Sequence, residues 1–219
     1  AALADPVLFG DFLQYHVVEE ETSTGSGDTM RLCEDLANHA AIKPILDECV
    51  EKYNLVNKAM NLVLFDDCLD HLVRVHRLMR LPRGNALLVG VGGSGKQSIT
   101  RLAAYTAQND IFSITLTRGY NEQLFRDDLK ALYGMLPTQP VAFFFSDAHV
   151  AEEGFLELIN NMLSSGMVPA LFEESERDGI ISNIRDEAVK AGALDSKEAV
   201  WAYYVSKCRD NLHVVLAMS

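Results

Sequence analysis

The sequence predicts an α/β fold, a doubly wound parallel sheet sandwiched by helices, with an N-terminal helical segment ahead of it. Three observations carry that expectation. After Pro82, short apolar runs alternate with helical stretches in the order strand, helix, strand, helix, strand, helix. A glycine-rich turn joins the first of those runs to the first of those helices. The chain has 219 residues, 48% of them hydrophobic and 23% charged, enough for one large domain or one domain plus an appendage. With neither Gly nor Pro in excess, collagen-like, coiled-coil and disordered chains are excluded.

From Asp28 to about Tyr53, and from about Asn61 to Met79, apolar residues recur at helical spacing: Leu32, Leu36, Ile45, Leu46 and Val50, then Leu64, Leu69, Leu72, Val73 and Val75. Both read as amphipathic helices. Between them and the N-terminus, Glu19–Gly27 is charged, small and poor in apolar side chains, so a flexible loop and linker is expected near residues 19–28. The expected division is an N-terminal helical segment over 1–60 and a large α/β subdomain over 61–219. In the latter, Ala86–Val89, Ile111–Leu116, Val141–Phe145 and Leu212–Ala217 are too short and too uniformly apolar for buried helices, as expected of parallel strands covered on both faces. Helices are expected near 96–108, 121–133 and 152–164. From Phe172 to Asp210 a polar, charge-dense stretch carries scattered apolar residues, as in helices with one apolar face.

The net charge of −12 sets a field that repels phosphates, so nucleic acid and anionic membrane are not expected partners, and any phosphate site must be local. Cys33, Cys49, Cys68 and Cys208 are widely spaced, which suits reduced thiols in an intracellular protein. The first residues, Ala-Ala-Leu-Ala-Asp-Pro, carry no basic n-region and no long apolar core, and no window approaches a membrane span. A soluble chain without a secretory signal is expected.

Gly90-Val91-Gly92-Gly93-Ser94-Gly95-Lys96-Gln97-Ser98 follows an apolar run and opens a helix. Successive backbone N–H groups in such a turn face inward, the helix N-terminus adds positive dipole, and the lysine reaches the terminal phosphates. The alternative is a glycine turn that merely joins strand to helix. The strict pattern places a Ser or Thr hydroxyl after the lysine for Mg²⁺; here that position is Gln97, with Ser98 one residue later.

A second acidic site is expected at the end of a buried strand, at Phe143-Phe144-Phe145-Ser146-Asp147. In one register Ser146 stands where a metal-binding Asp belongs and Asp147 where a catalytic Glu belongs. Shifted by one, Asp147 becomes the metal-side carboxylate and Ala148 takes the base position. Either way one carboxylate is missing, and slow or absent hydrolysis follows. A purely structural alternative is Asp147 capping the next helix.

Other arrangements are set aside. His71 and His76 lie about 140° apart on a helix, off one face, and Cys68 adds no metal geometry. His149 and His213 stand alone and read as structural. Ser94, Ser98 and Ser146 have no His and Asp partners for nucleophilic catalysis. Trp201 is either half-buried packing or an exposed contact.

The string from Pro82 to Ser98 closely resembles the phosphate loop of the fourth AAA+ module of axonemal dynein heavy chains. The resemblance continues through Met60–Phe65, Phe125–Lys130 and Leu156–Gly166 and covers nearly the whole chain. The Gly-Lys-Gln-Ser sequence is itself typical of that module. The resemblance implies a P-loop NTPase of the AAA+ class that binds ATP or ADP through Gly90, Gly92, Gly93, Ser94, Gly95, Lys96, Gln97 and Ser98. It implies further that Leu62, Val63 and Leu64 flank the adenine, that Gln97, Ser146 and Asp147 serve any Mg²⁺, and that Ser219 is the sensor residue. Ser146 and Asp147 are the catalytic candidates. Truncation at the sensor strand, without a lid subdomain, is expected.

By the same resemblance the module regulates a microtubule-based motor of the cytoplasm and cytoskeleton, in the ciliary or flagellar axoneme. Its partners would be neighbouring AAA+ modules of the same heavy chain, with dynein intermediate and light chains and the microtubule reached through the parent protein. Two other readings stay open: an autonomous P-loop ATPase or small-molecule kinase, and a purely structural P-loop module.

Overall fold

The computed structural model describes residues 8–11, 32–36 and 38–219, arranged as two compact units. The expected loop near 19–28 lies outside the described residues. One unit comprises residues 1–81 and 90–109, the other residues 82–89 and 110–219.

Among its described residues the first unit holds a two-stranded antiparallel pair, β1 (Phe9–Gly10) and β2 (Glu34–Asp35), and three helices, α1 (His39–Val56), α2 (Asp66–Arg80) and α3 (Lys96–Ala107). Apolar positions at helical spacing form its core: Ile42, Leu46, Cys49 and Tyr53 on α1, Leu69, Leu72, Val73 and Met79 on α2, and Leu102, Ala103 and Ala107 on α3 are all buried. Tyr53 meets Tyr105 edge-on at 5.4 Å. Asp66 and Asp67 open α2, and Arg77 and Arg80 close it, each sign matching the helix dipole.

The first helix starts later than the apolar spacing predicts. Residues 28–31 are outside the described set, but Glu34–Asp35 pairs with β1, and the Leu36 N–H donates to Leu8 O at 2.9 Å. Asn38 then caps α1 by accepting from Ala41 N–H at 3.0 Å. Long-range pairing and a cap override local periodicity. The second helix likewise starts at Asp66, not Asn61, because Phe65 is extended and residues 57–65 form a loop.

The second unit is built on a parallel sheet of β3 (Ala86–Val89), β4 (Asp110–Phe112), β5 (Val141–Ser146) and β6 (Leu212–Met218), in the order β3-β6-β5-β4. Its helices are α4 (Glu122–Met135), α5 (Gly154–Ser165), α6 (Glu174–Lys190) and α7 (Lys197–Asn211). Phe143 and Phe145 of β5 and Val214 of β6 share one core with Phe125, Phe155, Ile184 and Tyr204. Phe144 and His213, which alternate to the opposite face, are buried too, so the central strands are covered on both sides. The two segments that depart from this expectation are at the sheet edges. In β3, Leu87 is 63% and Val89 72% exposed. At the other edge, β4 stops at Phe112, because a strand with one neighbour ends where its ladder to Phe143 ends; Ile114 still turns into the core.

The stretch from Phe172 to Asp210 forms α6 and α7, as its apolar residues predict. Trp201 is half-buried packing: it stacks on Tyr204 at 5.1 Å, meets Phe172 edge-on, and carries the Arg177 guanidinium 4.5 Å above its ring. Helix α5 ends on Gly166 at φ +81°, where the Arg209 side chain lies 3.0 Å from the position of an added Cβ. Gly166→Ala should therefore lower stability by about 1–2 kcal/mol, read by urea denaturation; an unchanged midpoint would contradict the strain. Among the described residues no helix is long and apolar enough to cross a membrane. Among the described residues no disulfide joins the cysteines; Cys33 is exposed and Cys49, Cys68 and Cys208 are buried.

Candidate functional site

In the first unit the loop Gly90–Gly95 leads into α3, whose first residue is Lys96. Two glycines make the turn possible: Gly93 at φ +79° and Gly95, at the helix cap, at φ +83°, conformations that L side chains rarely adopt. At Gly92 and Gly93 an added Cβ would meet nothing within 4 Å, so the concave backbone is open to a ligand. No side chain caps α3 at Gly95, which leaves the first-turn amides of Lys96, Gln97 and Ser98 directed at that opening. Together these features fit a phosphate chain.

Lys96 closes the loop. Its Nζ donates to Gly90 O, to Val91 O at 3.0 Å and to Ser94 Oγ at 3.4 Å. The ammonium is thus held at the mouth of the turn, with its donors on groups that an incoming phosphate oxygen can replace. Gln97 is exposed and Ser98 half-buried. Beside this loop, Leu62 Cδ1 lies 3.9 Å from the Cβ position at Gly95. Val63 is 76% exposed, whereas Leu64 is buried at 2% and anchors its loop in the core. The structure thus brings Leu62, Gly95 and Lys96 together within one unit.

In the second unit, β5 ends at Ser146 and a 3₁₀ turn covers Asp147–His149. The Asp147 carboxylate accepts from Ala148 N–H at 3.0 Å through Oδ1, and from Ser219 N–H at 3.1 Å and the Ser219 hydroxyl through Oδ2. Two residues singled out in the sequence, 72 positions apart, therefore meet. Among the described residues no group of three or more His, Cys, Asp or Glu is arranged to hold a metal ion. Cys68 and His76 are buried and His71 is exposed.

His149, which stands alone in the sequence, belongs to this strand end. Ser146 N–H donates to His149 Nδ1 at 3.1 Å, which fixes Nδ1 as an acceptor and places the proton on Nε2. Its ring sits edge-on to Phe144 and Phe145. Burial holds its basicity below the ordinary 6.5, against the opposing pull of Asp147. His213, on β6, is lowered by the same burial, although its Nδ1–H bond to Gly84 O at 2.9 Å acts the other way.

Both imidazoles bind fewer protons folded than unfolded. Their contribution is complete above pH 6.5 and is lost as pH falls through the depressed folded values. Denaturation midpoints of the chain should fall between pH 7 and pH 5, and His213→Asn should flatten that dependence. An unchanged slope in the variant would contradict it.

Residues 60–219 match the family described as P-loop containing dynein motor region D4, a nucleotide-binding family in general. The chain is 58% identical over 221 residues to Dynein-1-alpha heavy chain, flagellar inner arm I1 complex, of Chlamydomonas reinhardtii. It is 56% identical over 219 residues to Dynein axonemal heavy chain 10 and 40% identical over 221 residues to Dynein axonemal heavy chain 6, both of Homo sapiens. Each comparison covers 99% of this chain, which spans about 5% of the length of each of these relatives. A glycine cradle closed by a lysine, a parallel sheet with an acidic strand end, and these identities agree: the chain belongs to the dynein heavy chains, within their P-loop-containing motor region D4.

Proposed function

We propose that this chain is a regulatory AAA+ module of an axonemal dynein heavy chain that binds ATP or ADP and hydrolyses ATP slowly or not at all. The single observation that carries the reading is the open glycine turn with Lys96 drawn across it. In this account residues 61–219 form the large α/β subdomain and residues 1–60 a helical segment ahead of it. Gly90, Gly92, Gly93, Ser94, Gly95, Lys96, Gln97 and Ser98 hold the phosphates. Leu62 and Val63 line the base side, and the buried Leu64 anchors their loop instead of facing the base. Ser219, through its two bonds to Asp147, is the sensor group.

The residues proposed to serve any Mg²⁺ are Gln97, Ser146 and Asp147. That donor set offers one carboxylate, and Asp147 already accepts from Ser219 and Ala148, which supports weak hydrolysis. The module acts by stabilising one arrangement of its neighbours, which requires unequal nucleotide affinity in two arrangements. Its partners are the adjacent AAA+ modules, and through the parent protein the intermediate and light chains and the microtubule of the ciliary or flagellar axoneme.

The test is a titration of nucleotide-stripped chain with a fluorescent ADP analogue in Mg²⁺ buffer, followed by turnover of γ-labelled ATP. Saturable binding is expected, with phosphate release far below the typical enzyme range of about 1–10³ s⁻¹. Absence of binding would overturn the reading, and turnover within that range by the chain alone would overturn its regulatory part.

A further inference from the structure

The loop of residues 57–65, between α1 and α2, has neither helix nor strand, yet it carries Leu62 to within van der Waals reach of the phosphate-loop glycine Gly95. Holding such a segment in one conformation costs backbone entropy at every residue, so something must fix it. At its start, the Asn57 backbone N–H donates to Tyr53 O at 2.9 Å. At its end, Leu64 is buried and Phe65 O accepts from Leu69 N–H at 2.9 Å.

Its middle is held by a side chain. Asn54, on the last turns of α1, accepts from Met60 N–H through Oδ1 at 2.8 Å and donates from Nδ2 to Met60 O at 3.2 Å. A carboxamide is the one side-chain group of this length that presents a donor and an acceptor in the plane of a peptide unit, so it takes both polar groups of Met60 as a neighbouring strand would. That pairing sets the direction in which the chain leaves toward Leu62 and Val63. Leu62 reaches the phosphate cradle, and the neighbouring Val63 and Phe65 are 76% and 59% exposed, so the segment beyond the clamp offers uncovered apolar surface. A purine ring, flat and largely apolar on its faces, is the ligand part such a surface suits.

We infer that Asn54 is a positioning residue for the nucleotide base: it touches no ligand, and it fixes through Met60 the loop that places Leu62 and Val63 against the base. The inference rests on the nucleotide-binding reading above. It implies that Asn54 governs the affinity contributed by the base and leaves that of the phosphates alone.

The experiment compares ADP with inorganic tripolyphosphate, which engages the glycine loop and has no base, on the 219-residue chain and on Asn54→Ala and Asn54→Asp. The Asp variant keeps the shape of the side chain and cannot donate to Met60 O, so it serves where the Ala variant fails to fold. Asn54→Ala removes both hydrogen bonds and Asn54→Asp the one donated to Met60 O, so the alanine variant should bind ADP about tenfold more weakly and the Asp variant about threefold or more, with tripolyphosphate binding unchanged in both. Equal ADP affinity in wild type and variants would overturn the inference. So would parallel losses of ADP and tripolyphosphate, the signature of a merely structural residue. If the wild type binds tripolyphosphate but not ADP, or neither, the nucleotide-binding reading itself fails, and the inference with it.

Discussion

Lys96→Ala should weaken ADP binding by about a hundredfold or more while leaving the chain folded. A hydrogen bond to a charged group contributes about 1.5–3 kcal/mol, and about 2.7 kcal/mol corresponds to a hundredfold in affinity. Lys96 supplies both such bonds and the local positive charge, in a chain whose net charge of −12 otherwise repels a nucleotide. It also ties Gly90, Val91 and Ser94 to one another, so its loss loosens the cradle before any phosphate arrives. The backbone part of the helix start survives the substitution, since Thr100 Oγ1 donates to Lys96 O at 2.8 Å. Lys96→Arg should recover little, because a planar guanidinium cannot occupy the position of a compact ammonium inside the turn. Fluorescence titration against wild type reads the effect, and affinities within threefold of each other would contradict it.

Asp11→Ala should destabilise the unit of residues 1–81 and 90–109 by about 3–5 kcal/mol, the cost of leaving part of a buried charge network without its partner. Asp11 is 5% exposed and its carboxylate meets His76 Nε2 at 2.5 Å and Arg80 Nε at 2.8 Å. His76, 1% exposed, reaches Thr106 Oγ1 with Nδ1 at 2.9 Å. The Thr106 hydroxyl also reaches Leu102 O at 3.0 Å and Ala103 O at 3.1 Å. Removing the carboxylate leaves a buried donor at His76 and frees the strand that ends at Gly10 from α2. Asp11→Asn keeps an acceptor and should cost less than Asp11→Ala. Chemical denaturation measures both, and a loss below about 1 kcal/mol for the alanine variant would contradict the network's role.

How much of this was legible in the sequence follows from the range of each interaction. The cradle at Gly90–Lys96 is local: its turn requires positive φ at Gly93 and Gly95, and the residue types announce it. Strand β5 was legible for a similar reason, since five consecutive buried side chains leave no polar face to hide. The start of α1 at His39 was not, because pairing of Glu34–Asp35 with Phe9–Gly10 interrupts an apolar spacing that looks helical. The early stop of β4 and the exposure of Leu87 and Val89 depend on which strands lie at the sheet edges, which periodicity does not encode. His76 shows the limit most plainly. Read along its helix it was a poor metal ligand, and its partner stands 65 positions away with no motif to link the two. Asn54 and Met60 are only six apart, yet an Asn near the end of a helix carries no signal of a clamp until the loop is seen.

The most direct test of the account is amide hydrogen exchange of the nucleotide-stripped chain with and without saturating Mg-ADP. If the phosphates lie in the glycine cradle, the backbone amides of Gly92 to Ser98 become strongly protected on binding, and Lys96→Ala abolishes that protection. ADP binding that leaves those amides exchanging at their free rates would place the nucleotide elsewhere and contradict the account.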